Sequence, residues 1–264
     1  MHKPVSQKWY IIMLKDYKNS INEAQELKKE IGRYRPLTKH QIQELKEYYR
    51  IGLTYTSNAL EGNSLTETET KVVLEEGITI GGKLLKDHLE TLGHSDAYYL
   101  LLKLATHDQI REKDICDLHK LFYFRINQKA AGKYRKKQVF ITGTDFIPPA
   151  PEKLRTLMHE FTQEVPLLKQ KHDPVTYAAL LHLKLVTIHP FIDGNGRCAR
   201  LLMNLSLLQE GYSITIIPPI VRSDYINALK TTQASHDQQS FINFISTMVC
   251  ESQREYLRLL KTLS

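Results

Sequence analysis

His189-Pro190-Phe191-Ile192-Asp193-Gly194-Asn195-Gly196-Arg197-Cys198-Ala199-Arg200 is the run around which the rest of the chain reads. It combines a titratable imidazole, a carboxylate, two glycines and two arginines. Before it, residues 175–188 have a helical pattern, with Ala178, Leu181, Leu185 and Ile188 at helical spacing and Pro190 just past the end. After it, Leu201, Leu205 and Leu208 form the apolar stripe of a second helix, stopped by Gly211.

Asp193-Gly194-Asn195-Gly196 is a turn signal between the two helices. Glycines allow successive backbone N–H groups to converge on one concavity. The following helix adds its unpaired first-turn N–H groups and the positive end of its dipole. Such a place binds anions. Arg197 and Arg200 are three apart and share the first turn, and guanidinium groups suit phosphate oxygens. Asp193 is an acid at the mouth of this cradle, where a divalent metal is expected. His189 can accept a proton from a hydroxyl near neutral pH.

Residues 189–200 resemble the Fic family signature, His-Pro-Phe-x-Asp-Gly-Asn-Gly-Arg-x-x-Arg, with every defining position kept. The resemblance extends over roughly residues 50–250. It implies a mostly α fold, a helical bundle around a central helix pair with one β-hairpin flap. It also implies a protein adenylyltransferase that moves AMP from ATP to a Ser, Thr or Tyr hydroxyl of a target protein and releases pyrophosphate. Carried over, His189 is the general base and Asp193 holds Mg²⁺ (or Mn²⁺). Gly194, Asn195 and Gly196 cradle phosphates, Asn195 adding side-chain donors, and Arg197 and Arg200 stabilise the leaving group. Phe191 is expected to pack inward and fix the loop.

A second stretch, Ser57-Asn58-Ala59-Leu60-Glu61-Gly62-Asn63, places Ser57 and Glu61 four apart before a helix stop at Gly62. It resembles the family's inhibitory motif, Ser/Thr-x-x-x-Glu-Gly/Asn, in the class that carries it N-terminal to the core. The resemblance implies that Glu61 pairs with Arg200 and keeps ATP from a productive pose. It also implies that the same glutamate can position water for removal of AMP, which makes a deadenylylase the alternative function. Ser64 and Glu67 read as a capping box for the next helix, as Thr38 and Gln41 do for the helix before it.

Residues 139–142 favour a strand, 143–145 a turn and 146–147 a second strand ended by prolines. By resemblance this hairpin is the flap, with Val139, Ile141, Thr142, Gly143 and Thr144 lying where an extended target segment would pair through main-chain bonds. Tyr225, Leu229 and Gln233 match positions of the family's adenine pocket. Ile226 and Gln233 depart from the aromatic and the Asn common there.

The 264 residues carry a formal net charge of +7. The basic residues are dispersed rather than gathered into a patch interleaved with aromatics, which argues against a dedicated nucleic-acid binder. Cys116, Cys198 and Cys250 have no metal or redox spacing, as suits a reducing compartment. Trp9-Tyr10-Ile11-Ile12-Met13-Leu14 is too short for a membrane span and lacks a cleavage-site pattern. Cytoplasmic residence is the expectation, a secreted effector being the other option. A metal hydrolase using His182, His189 and Asp193 is disfavoured by the two-turn gap between the histidines. The expected organisation is a helical segment (1–50), a helical region bearing the inhibitory motif (51–110), the core (111–250) and the end of the last helix (251–264), with a homodimer possible and ATP and a target protein as partners.

Overall fold

The computed structural model describes residues 17–235 and 237–263. The Trp9 to Leu14 run lies outside the described residues. The helices are α1 (Ile21–Gly32), α2 (Lys39–Ala59), α3 (Glu67–Glu75), α4 (Leu85–Leu104), α5 (Glu112–Phe124), α6 (Leu154–Lys171), α7 (Pro174–Ile188), α8 (Asn195–Gln209), α9 (Arg222–Ser235) and α10 (Gln239–Leu263). Short 3-10 turns precede α6 and α9.

The centre is the helical hairpin of α7 and α8. Asp173 caps α7, its Oδ1 accepting from the N–H groups of Val175 and Thr176, and Pro174 occupies the first turn, where a missing N–H costs nothing. α7 is apolar on nearly every side, and such a helix must be enclosed. It is packed by α6, α8 and α10. Leu181, Leu185, Leu201 and Leu205 are fully buried between these elements. Each such side chain contributes about 1.5–3 kcal/mol. α4 and α5 cover the far side of α8, and α2 lies against α4, α8 and α10. α1 packs along α10, where the Ser20 N–H donates to Ser246 Oγ.

The Thr38–Gln41 capping box forms as the sequence predicts. The next one does not. Thr66 and Glu69 cap α3, while the N–H and hydroxyl of Ser64 both donate to Asp87. Capture of Ser64 by α4 moves the helix start two residues on.

No β-strand occurs among the described residues, so the expected hairpin flap is not seen as one. Residues 138–149 instead form two irregular arms around a turn at Thr142 and Gly143. Phe140 and Ile147 are exposed, so neither arm has a face to bury, and an isolated two-stranded ribbon is marginal. Pro148 and Pro149 have no N–H to give a ladder. The arms are tied by side chains: Gln138 Nε2 donates to the Pro148 carbonyl and Arg135 Nη2 to that of Pro149. No helix among the described residues is long and apolar enough to cross a membrane.

His94, His119 and His182 are fully buried. Burial pushes His94 down to about 3 and His119 to about 4, and lowers His182 well below its ordinary value. All three are neutral in the fold and charge more readily in the unfolded chain. Their contribution is therefore complete above the unfolded value near 6.5 and is lost as pH falls below it. For His94 and His119 the loss is about 2 kcal/mol each by pH 5. The melting temperature is expected to drop steeply between pH 6.5 and 5, before most carboxylates titrate. Calorimetry across that window checks it, and a flat profile would contradict neutral burial.

Candidate active site

The hairpin turn is shaped by His189 and Asn195. His189 closes α7 in the left-handed conformation (φ 51°), the one positive-φ residue other than glycine among those described. Such backbone costs on the order of 1 kcal/mol and persists only where neighbours hold it. Arg135 holds it: Nε donates to the His189 carbonyl at 2.9 Å and the backbone N–H to that of Pro190 at 2.9 Å. Asn195 fastens the other end, its amide exchanging two 2.9 Å bonds with the backbone N–H and C=O of Phe191. Phe191 stacks on His119 with centroids 3.7 Å apart, as expected for a residue that fixes the loop. The His119 ring accepts from Gly132 N–H through Nδ1 and donates through Nε2 to the Asp193 carbonyl.

This frame sets the state of His189. Its Nδ1 faces the Val186 carbonyl at 3.3 Å, so Nδ1 carries the proton and Nε2 is the basic nitrogen. Burial lowers its pKa, and Arg135 adds to that, outweighing the opposite effects of Val186, Glu61 and Asp193. His189 is thus a neutral base at pH 7.

Gly194 takes φ 77° and lies over the Phe122 ring; a Cβ there would come within 2.4 Å of it. α8 then begins with no side-chain cap. The carboxylate of Glu61 sits above Gly196 in the first turn of α8, where a Cβ on Gly196 would collide with Glu61 Oε1. The same Oε1 accepts from Arg200 Nη2 at 2.7 Å. Burial alone would raise the Glu61 carboxyl, but Arg200, with Arg197 and Arg222, holds it below the ordinary carboxylate range. Ser57 completes the grip. Its hydroxyl accepts from Arg200 Nε at 3.0 Å and its carbonyl from Nη2 at 2.8 Å. The remaining arm of the guanidinium donates from Nη1 to the Tyr225 hydroxyl at 3.3 Å. Gly62 (φ 93°) turns the chain away after α2, and Arg222 Nε donates to the Leu60 carbonyl at that helix end.

Several residues stand elsewhere than the sequence suggests. The Asn195 side chain serves the loop backbone and is not turned out as a phosphate donor. Arg197 is buried in an ion pair with Glu90 at 2.7 Å, over the Phe122 ring, with Asp193 Oδ2 3.6 Å from its Nη2. Its guanidinium is committed to the bundle rather than open to a ligand. Tyr225 is buried behind Arg200 and hydrogen-bonded to His182 Nε2 at 3.0 Å. It positions the arginine, whereas Leu229 and Gln233 are half-buried further along α9. Val139, Ile141, Thr142, Gly143 and Thr144 lie on the irregular arms near the loop's anchor, Arg135. Sequence reasoning missed Glu90 and His119, and gave no role to Arg135 or to Asn58, which accepts from Arg197 Nη1 at 3.4 Å. None lies within the central run, and only the fold brings them to it.

Asp193 is half-exposed, and Gly194 N–H donates to its Oδ1. One exposed carboxylate beside an anion cradle fits a Mg²⁺ or Mn²⁺ ion that arrives with phosphates and keeps most of its shell from phosphate and water. Among the described residues no cluster of three or more His, Cys, Asp or Glu could hold a metal by itself. His182, offered to a metal hydrolase by the sequence, has its ring turned to Tyr225 instead.

Residues 109–207 match the Fic/DOC family model, and the chain thus carries a domain of the Fic/DOC family. It is 40% identical over 197 residues to "Protein adenylyltransferase Fic" of Drosophila erecta, covering 73% of this chain and 39% of that protein. The match to the Drosophila melanogaster protein of the same name has the same extent. The chain thus spans about two fifths of the length of these curated relatives. Among solved structures, a fragment of Fic-1 from C. elegans aligns with a TM-score of 0.83 at 28% identity, covering 93% of this chain and 73% of that one. A Fic-domain-containing signaling protein from Bacteroides thetaiotaomicron aligns with a TM-score of 0.83 at 28% identity, covering 92% and 97%.

Asn195→Ala separates a loop-closing role from a phosphate contact. Loss of two buried hydrogen bonds, with Phe191 left unpaired, is expected to cost about 2–4 kcal/mol. Denaturant unfolding of the protein without nucleotide checks it. Unchanged stability would return the side chain to the phosphates.

Proposed function

We propose that the protein is an adenylyltransferase that transfers AMP from ATP to a Ser, Thr or Tyr hydroxyl of a target protein and is held in check by Glu61. The observation that supports this best is the placement of the Glu61 carboxylate. It rests on the first turn of α8 and on Arg200, which is where a phosphate of a bound nucleotide would rest.

In this mechanism the target hydroxyl approaches His189 Nε2, which takes its proton as the oxygen attacks the α-phosphorus. The bond from that phosphorus to the bridging oxygen of the β-phosphate breaks, and pyrophosphate leaves. A divalent ion held by Asp193 would supply positive charge to the phosphates. The N–H groups at the start of α8 bind phosphate oxygens, and Arg200, once released by Glu61, takes the terminal phosphates. Catalysis is then chiefly positioning and charge stabilisation. The arms at 138–149 lie free of any sheet, and an extended target segment can pair with their backbone.

Removal of AMP is the second reading, and one feature favours it. Among the described residues only Oε1 of Glu61 is engaged, and 36% of the side chain is exposed, so Oε2 can orient a water toward a phosphorus held in the cradle.

With ATP labelled on the α-phosphate, Glu61→Gly is expected to label a target protein or itself more strongly than wild type. His189→Ala is expected to lose about 10²–10⁴-fold in rate while keeping nucleotide affinity. Autoradiography with intact mass reads both. A Glu61→Gly rate no higher than wild type would reject the latch. If Glu61→Gly instead abolishes release of AMP from a modified target, the second reading stands.

A further inference from the structure

A second cavity of about 160 Å³ lies on the opposite face of α2 from the Glu61 site, between α2, the start of α3, α10 and residues 216–220. Its walls include the rings of Tyr48, Tyr49 and Tyr55, the side chain of Ile216, and Glu67 at the first turn of α3. A cavity of about 150 Å³ takes up one benzene ring. One feature marks it as built for a ligand rather than left by imperfect packing. The Glu67 carboxylate is half-buried beside Tyr48 and Tyr55, and makes neither hydrogen bond nor ion pair among the described residues. Burial raises its pKa, and no cation among the described residues offsets the cost. Tyrosine faces next to an unpaired carboxylate are the surroundings that attract an organic cation. The other acid at the wall, Glu255, already accepts from the Tyr48 hydroxyl and from Arg258, and helps to orient that ring.

We propose that this cavity binds a small organic ammonium ion with an apolar body of about one ring, and that the ligand strengthens the Glu61 latch. The link is α2 itself. Gly52, Tyr55 and Thr56 face the cavity, while Ser57 and Asn58, on the next turn, hold Arg200 and Arg197. At Gly52 the helix closes on Ile216, where a Cβ would meet Cδ1 at 3.1 Å. Residues 215–216 are in turn bonded to Asn204 of α8 and Ser252 of α10. A ligand seated between α2 and this segment favours the arrangement of α2 in which Glu61 reaches Arg200, and it shifts the equilibrium by its differential affinity for that arrangement. The regulatory half rests on the latch of the proposed function; the binding half does not.

Benzyltrimethylammonium is the probe, and neopentylbenzene its uncharged isostere. Titration calorimetry on the full chain is expected to show saturable binding of the cation, about tenfold weaker in Glu67→Gln and in Tyr55→Leu, and weaker for the isostere. Glu67→Gln keeps the shape of the wall and removes its charge, Tyr55→Leu removes a π face, and a melting curve verifies that each variant is folded. No saturable binding, or binding indifferent to both substitutions, overturns the site. Equal affinity for the isostere overturns its selection of cations. Label transfer by wild type is expected to fall as the cation saturates, and that by Glu61→Gly to stay constant. Equal inhibition of both, or of neither, overturns the coupling to the latch while leaving the calorimetric result to stand on its own.

Discussion

The arrangement depends on one buried group, the guanidinium of Arg200. It stays charged at any physiological pH, so its donors must be met wherever it is buried. Ser57 meets two, Glu61 shares one arm and Tyr225 meets the other. These partners belong to α2, to the turn after it and to α9. The charge therefore draws two separate parts of the chain, the end of α2 with its following turn and α9, to α8. The Tyr225 hydroxyl accepts from Arg200 and donates to His182 Nε2, which can accept because burial keeps the ring neutral. A charge at the centre of the site is thus supported by a ring in the middle of α7.

The other constraint is the left-handed turn at His189. Ending α7 there, rather than with glycine, costs local energy but aims a ring of fixed tautomer at the mouth of the cradle. Arg135 and Asn195 together offset that cost from either side of the loop. Glu90 does the same for charge: by pairing with Arg197 it leaves Arg200 as the guanidinium bonded to Glu61 at the first turn of α8.

How much of this could be read beforehand follows from where each constraint lives. The α7–α8 pair and its turn were legible because hydrophobic period, proline and glycine act locally. The pairing of Glu61 with Arg200 was legible only through the resemblance of two motifs, since nothing local places residue 61 against residue 200, and the two bonds from Arg200 to Ser57 were not legible at all. The direction of a side chain was not legible. Arg197 and Arg200 share a turn, yet Glu90 captures one and Glu61 the other, a choice made by how α4 and α2 pack. Asn195 reads as a donor for phosphates, but a backbone that must turn within the loop claims it first. The expected hairpin failed for a similar reason. The β-branched and aromatic residues at 139–142 and 146–147 favour strands, but with no surface to cover them they remain irregular arms.

The strength of the Glu61–Arg200 contact decides whether it is a latch or a permanent closure. Breaking a fully enclosed ion pair costs about 3–5 kcal/mol, whereas exposed pairs are worth about 0–1 kcal/mol. Arg200 is enclosed but a third of Glu61 reaches water, so the contact falls between these limits, on the order of 1–2 kcal/mol after screening. Ser57 keeps two bonds to the guanidinium when Glu61 leaves, so release does not strand the charge. A terminal phosphate offers Arg200 more charge than a carboxylate and can take both of its arms. Under the proposed function, the closed arrangement is then favoured only slightly, by an amount that a bound nucleotide or a small displacement of α2 would reverse. Control of the site then passes to whatever sets the position of α2.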